Sequence, residues 1–211
     1  MGYETLPNEM LANEEPRHNF VVISGVVSGL ALCKNGGQQF VLCVNRLSGM
    51  YDKIPVILPD ELCTCLREGQ LITVSGAFIS YNELVGDKSK LILMVRATSI
   101  REVTDDDNFN PNSIDLVGFV CKQPIYRTTP FNREITDLLI AVNRSANKSD
   151  YIPAIAWGKN ARFAKNLLVG EKIRINGRVQ SREYQKRFED DTVETRTAYE
   201  VSINSIEREE S

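Results

Sequence analysis

Histidine is all but missing from this chain: His18 stands alone among 211 residues. Structural zinc usually takes four ligands in two close pairs. The five cysteines (Cys33, Cys43, Cys63, Cys65 and Cys121) supply one such pair, Cys63-Thr64-Cys65. No metal site is therefore expected, and buried free thiols are. No stretch reaches the roughly 18 consecutive apolar residues of a membrane-spanning helix. The acidic start (Glu4, Glu9, Glu14, Glu15) lacks the basic region of a secretion signal, so a cytoplasmic protein is expected. Also missing are a nucleophile–base pair, a Gly-rich phosphate loop and a ligand cluster, and the chain reads as a non-enzyme with no cofactor.

Charge of one sign is scarce as well, since the formal net charge is −3, but it is unevenly placed. Residues 1–111 carry 9 Lys/Arg against 14 Asp/Glu, a net −5, whereas residues 112–211 carry 16 against 14, a net +2. A polyanionic partner is expected to meet the second half. The apolar share of 42% and charged share of 25% are those of an ordinary globular chain.

What the sequence does have is an internal repeat. Val44-Asn45-Arg46 and Asp52-Lys53-Ile54-Pro55-Val56-Ile57 return as Val142-Asn143-Arg144 and Asp150-Tyr151-Ile152-Pro153-Ala154-Ile155, 98 residues later. Gly69-Gln70-Leu71-Ile72-Thr73-Val74-Ser75-Gly76 returns as Gly170-Glu171-Lys172-Ile173-Arg174-Ile175-Asn176-Gly177, 101 residues later. Two copies of one domain follow: 1–18 as a flexible arm, 19–102 as the first copy, 103–112 as an acidic Asn- and Pro-containing linker, and 113–207 as the second.

Each copy reads as five short strands and one short helix. In the second, Leu138, Ile140 and Val142 alternate with Leu139, Ala141 and Asn143. The helix is placed at 160–168, with Ala161, Ala164, Leu167 and Leu168 on one face, and the last two strands at 172–184 and 197–206. In the first copy Asp60 is placed to cap a helix carrying Leu62 and Leu66. The order β-β-β-α-β-β within about 95 residues is that of the OB fold, a small closed Greek-key barrel. The chain is thus expected to be all-β, with two tandem OB-fold barrels.

The copies diverge on one strand. Successive strand residues face opposite sides, so Lys172, Arg174, Asn176, Arg178, Gln180, Arg182 and Tyr184 share a face, provided no bulge breaks the register. Ile173, Ile175, Gly177, Val179 and Ser181 share the other. Spaced cations suit phosphates and flat rings suit unstacked bases; an ordinary solvated face is the alternative reading. In the first copy Lys172, Arg174, Arg178 and Arg182 become Leu71, Thr73, Ala77 and Tyr81, while Tyr151 becomes Lys53 and Trp157 becomes Pro59. The fold is expected in both copies and the binding surface in the second, leaving the first as a degenerate scaffold.

Four segments of the second copy carry a family resemblance: Pro124-Ile125-Tyr126-Arg127-Thr128-Thr129-Pro130, Leu139-Ile140-Ala141-Val142-Asn143-Arg144, Ile155-Ala156-Trp157-Gly158-Lys159-Asn160-Ala161 and Gly177-Arg178-Val179-Gln180-Ser181-Arg182-Glu183-Tyr184. With Thr195-Arg196-Thr197-Ala198-Tyr199-Glu200-Val201, they make roughly residues 112–207 similar to the bacterial single-stranded DNA-binding proteins. The first copy resembles that family only through the repeat. The resemblance implies base stacking on Tyr151, Trp157 and Tyr184, with Arg127, Arg144, Lys159, Arg178, Arg182 and Arg196 along the DNA path. Trp157 also has a reading as a core residue. Because the family surrounds the strand with four OB folds, a homodimer of this two-copy chain is implied. The ending Ile206-Glu207-Arg208-Glu209-Glu210-Ser211 lacks the family's acidic recruiting tail, so no recruiting hub is expected.

The expected function is sequence-independent binding of single-stranded DNA in replication, recombination or repair. The rival expectation is an OB-fold adaptor of a replication-restart or mobile-element complex, with weak DNA contact and a docking surface on Leu71, Ala77 and Ile79.

Overall fold

The computed structural model describes residues 18–32, 37–46, 48–62, 66–86, 88–103, 111–144, 148–187 and 191–209. Cys33, Cys63, Cys65, the expected arm up to residue 17 and the linker at 104–110 lie outside the described residues. The elements in chain order are β1 (Asn19–Leu32), β2 (Gln38–Asn45), β3 (Tyr51–Leu58), a 3-10 turn (Asp60–Leu62), β4 (Leu71–Val85), β5 (Lys88–Glu102), β6 (Asn112–Val120), β7 (Ile125–Thr128), β8 (Glu134–Arg144), β9 (Lys148–Trp157), α1 (Lys159–Ala164), β10 (Lys172–Arg187) and β11 (Val193–Arg208).

The chain is all-β, as alternation of apolar residues dictates. Leu138, Ile140 and Val142 are buried, Leu139 and Ala141 are half-buried and Asn143 is exposed, so β8 turns one face to a core and the other outward. Pairings β6–β8, β8–β9, β9–β11, β11–β10 and β10–β6 close a five-stranded barrel. In the first half β1–β2, β2–β3, β3–β5, β5–β4 and β4–β1 run in the same cycle. Each cycle has one parallel contact, Ala154 and Ile155 with Val201 and Ser202, and Val56 and Ile57 with Val95 and Arg96.

A bulge falls at equivalent places in the two halves, and it spares the cationic strand. Between Asn176 and Gly177 the partner register skips Asn204 on β11; between Ser75 and Gly76 it skips Thr98 on β5. The extra residue belongs to the neighbouring strand, so β10 keeps its alternation from Lys172 through Val179. Gly177 allows the close approach at the bulge, since a Cβ there would lie 2.5 Å from the Ser202 carbonyl oxygen.

Several expectations change. The second half has a further strand, β7, which among the described residues pairs only with β8 and is exposed at all four positions. It has no core face, so no apolar alternation marks it. Its turn is held by Thr129 N–H to the Arg133 carbonyl at 2.9 Å, with Asn132 in the left-handed region at φ 57. α1 ends at Ala164 rather than continuing to 168, which buries Ala161, Ala164 and Leu167 but leaves Leu168 63% exposed. In the first half the described residues hold a 3-10 turn in place of an α-helix, and the Asp60 carboxylate accepts the Gly37 N–H at 3.3 Å.

The halves meet through β1 and β6, antiparallel and centred on Val21 opposite Ile114. Asn19 and Asn112 occupy equivalent ends of these strands. Asn19 donates to the Phe78 carbonyl at 2.8 Å and accepts the Phe78 N–H at 3.0 Å. Asn112 does the same with Val179, at 2.9 and 3.0 Å. Each carboxamide thus stands in for a peptide group where a main-chain ladder ends. The two halves are related by an approximate two-fold, with Val21, Ile23, Ile114 and Leu116 in one continuous core.

Candidate nucleic-acid interface

The same approximate symmetry sets the surface where the halves touch. The Ser181 N–H donates to Asp52 at 2.6 Å, and the Lys53 N–H donates to the Ser181 hydroxyl at 2.9 Å. The Ser80 N–H donates to Asp150 at 2.6 Å, and the Tyr151 N–H to the Ser80 hydroxyl at 2.7 Å. Both aspartates are buried, and each faces an arginine of its own half. Arg46 binds Asp52 through two nitrogens, Nε at 2.9 Å, whereas Arg144 reaches Asp150 with one, at 3.3 Å, and leaves its Nε unpartnered. The Asp52 hydrogen bond raises the Arg46 pKa above its ordinary value. Burial raises the Asp150 carboxyl, opposed by the Ser80 N–H and the Arg144 charge. Arg144, expected on the DNA path, therefore lies at the contact between the halves.

Around the Asp52–Ser181 contact opens a groove of about 570 Å³, within the roughly 300–1,000 Å³ range of ligand clefts. Trp157, Arg178 and Arg182 line it from the second half, and Arg46, Tyr51 and Lys53 from the first. A second groove, of about 480 Å³, collects Tyr184 and Arg196 against Lys90 and Ile92. Five of the expected site residues are thus divided between two clefts, Trp157, Arg178 and Arg182 in one and Tyr184 and Arg196 in the other, with Thr197 lining both. Trp157 is 37% exposed; it is a groove-lining ring rather than a core residue. Tyr184 (39%) and Tyr151 (43%) are exposed too, but Tyr151, whose main-chain N–H donates to Ser80, lines neither groove.

The cations differ in how firmly they are held. Arg178 lies 3.5 Å from Asp52 and donates to Gln180 at 3.0 Å, and Arg182 lies 3.8 Å from Glu200 and 5.9 Å from the Tyr184 ring centroid. By contrast, Arg174 is held by Glu209 at 2.9 and 2.8 Å, Arg127 by Asp137 at 2.7 and 3.2 Å, and Arg196 by Glu194 at 2.9 and 2.7 Å. Those hydrogen bonds raise all three arginine pKa values. Exposed pairs of this kind contribute little, so a phosphate can displace the carboxylates. Arg178 and Arg182, with long contacts, are the readiest to take one. Lys172 and Arg174 sit at the far end of β10, outside both grooves, and Lys159 opens α1 on an exposed surface.

The sequence reading passed over Arg46, Met50, Tyr51 and Lys53, although Arg46 is the repeat counterpart of Arg144, because it took the first half as a scaffold. Of Leu71, Ala77 and Ile79, the expected docking surface, Leu71 is exposed and the other two are half-buried.

Comparison with known proteins gives three findings. Residues 111–208 match the model of the Single-strand binding protein family. A single-stranded DNA-binding protein of Clostridium tetani is 34% identical over 83 residues, 36% of this chain and 57% of that one. Single-stranded DNA-binding protein 2 of Listeria innocua is 33% identical over 81 residues, 35% of this chain and 51% of that one. The chain thus spans about half the length of these curated relatives. Crystal structures of the single-stranded DNA binding protein from Thermus aquaticus, one of a deletion mutant and one wild-type, superpose with TM-scores of 0.68 and 0.66 at 21% identity. Each covers 92% of this chain, a likeness of fold.

Proposed function

We propose, from the match of residues 111–208 to the Single-strand binding protein family, that the chain binds single-stranded DNA without sequence preference and without chemistry. The observation that carries this reading is the groove in which Trp157 stands beside Arg178 and Arg182. Unstacked bases offer π-faces to the ring, and phosphates exchange with the long-range carboxylate partners of the arginines. Tyr184 and Arg196 extend the surface into the second cleft. The division follows the repeat: 19–102 and 113–207 are two tandem OB folds. Arg127 and Lys159 lie further along the strand path, and Tyr151, Arg144, Lys172 and Arg174 hold secondary places.

A homodimer presenting four OB folds is the natural assembly, a reading supported by the antiparallel pairing of β1 with β6 that joins the two halves. Light scattering is expected to give twice the chain mass; a stable monomer at micromolar concentration would exclude it. The protein acts in the cytoplasm, in replication, recombination or repair. Fluorescence anisotropy of labelled oligo-dT tests the main reading. Binding that survives excess duplex competitor is expected, and displacement by duplex as readily as by single strand would contradict it.

A further inference from the structure

Comparing aligned positions sets Lys53 against Tyr151 and so counts one aromatic as lost from the first half. Residues two apart on a strand share a face, however, and Tyr51 stands two before Lys53 in β3. Both are exposed, with Asp52 buried between them. The Lys53 Nζ lies 5.9 Å from the Tyr51 ring centroid. A ring and a cation are therefore present on the same side of this strand, displaced by one repeat of the pleat. Tyr51 is 54% exposed and its neighbour Met50 65%, more than packing of the barrel requires.

These side chains do not hang from a free hairpin. Lys53 donates its N–H to the Ser181 hydroxyl at 2.9 Å, Arg46 donates to the Ser181 carbonyl at 2.8 Å, and Asp52 accepts the Ser181 N–H at 2.6 Å. One residue of β10, adjacent to Arg182, thus anchors the β2–β3 hairpin by hydrogen bonds at three of its groups. The walls of the groove are fixed before any ligand arrives, so little ordering cost falls on binding.

We infer that Tyr51 and Lys53 form the second wall of the strand-binding groove, the ring stacking a base and the ammonium contacting a phosphate opposite Trp157, Arg178 and Arg182. This rests on the single-strand reading above and assigns the first half a direct part in it. The symmetry-related contact keeps Arg144 at Asp150 but has no charge at the positions equivalent to Arg178 and Arg182. There Ser80 meets Asp150 and Tyr151, and the counterparts of Arg178 and Arg182 are Ala77 and Tyr81. The strand is thus held across the halves on one side of the two-fold.

The test uses the full chain, with labelled oligo-dT followed by anisotropy and by Trp157 emission. Tyr51→Ala is expected to weaken binding about tenfold. Lys53→Ala is expected to make the logarithmic salt slope shallower by about 0.7. Photo-crosslinking of the wild-type chain with bromodeoxyuridine-substituted oligo-dT is expected to label the peptide carrying Tyr51. Wild-type quenching with both variants binding unchanged, or crosslinks confined to 113–207, overturns this inference and leaves the single-strand reading standing. No wild-type binding at all overturns both.

Discussion

The two halves share one order of strand pairings and differ in what they display. Both have the bulge beside Gly76 or Gly177, the carboxamide at Asn19 or Asn112, and the buried aspartate at 52 or 150. On the outer face of β10 stand four cations, and the matching face of β4 carries Leu71, Thr73, Ala77 and Tyr81. Duplication thus preserved backbone geometry and the contact between the halves while charge collected on one of them. Positions fixed by close contact tolerate little change, whereas a solvent-facing strand position can exchange arginine for alanine without loss of the fold.

The comparison can be broken most forcefully at Trp157. Trp157→Ala is expected to weaken oligo-dT binding by about 5- to 150-fold, the equivalent of about 1–3 kcal/mol of stacking, as read by anisotropy. An affinity within twofold of wild type would mean that the ring merely covers the barrel. Next in size, Gly177→Ala and Gly76→Ala are each expected to cost about 1–3 kcal/mol of stability in urea unfolding, since a side chain at either site meets a main-chain carbonyl. Unequal costs would show that the halves do not share the bulge's strain.

A gain of function sharpens the contrast. Ala77→Arg puts a guanidinium near Asp150 as Arg178 sits near Asp52, and combined with Tyr81→Arg it is expected to steepen the salt dependence of binding by about 0.7 per new phosphate contact. An unchanged slope would mean that the first half's β4 face never meets the strand. The smallest effect concerns pH. Burial raises the Asp150 carboxyl above its ordinary 3.8, so the folded chain holds that proton more tightly than the unfolded one. Its contribution to stability therefore falls as pH rises from 3.8 through the raised folded value. Relative to wild type, Asp150→Asn is expected to gain stability as pH rises from 3.8 through that raised folded value. Paired unfolding curves across that range check it; a constant difference would contradict the burial of the charge.

Much of this was legible before the structure. Alternation in Leu138, Ile140 and Val142 located a core strand, and the same period separated the β10 arginines from Ile173 and Ile175. The short β7 was not legible, because a strand exposed on every residue has no periodicity to read. Neither was the end of α1 at Ala164, where Leu168 continues an apolar pattern that the backbone no longer follows. The groove was the larger omission. It depends on Asp52 meeting Ser181, which lie 129 residues apart, and on Tyr51 answering for an aromatic two positions from where alignment looks. Local patterns report which face a residue takes, and they are silent on which distant strand will lie opposite.

Trp157 is the chain's one tryptophan, so its emission reports on the groove directly. Titration with oligo-dT over a series of salt concentrations is expected to quench it, with log affinity falling against log salt by about 0.7 per phosphate neutralised. Emission that stays constant under saturating oligonucleotide, or an affinity indifferent to salt, would contradict a groove that holds single strands by ring and cation together.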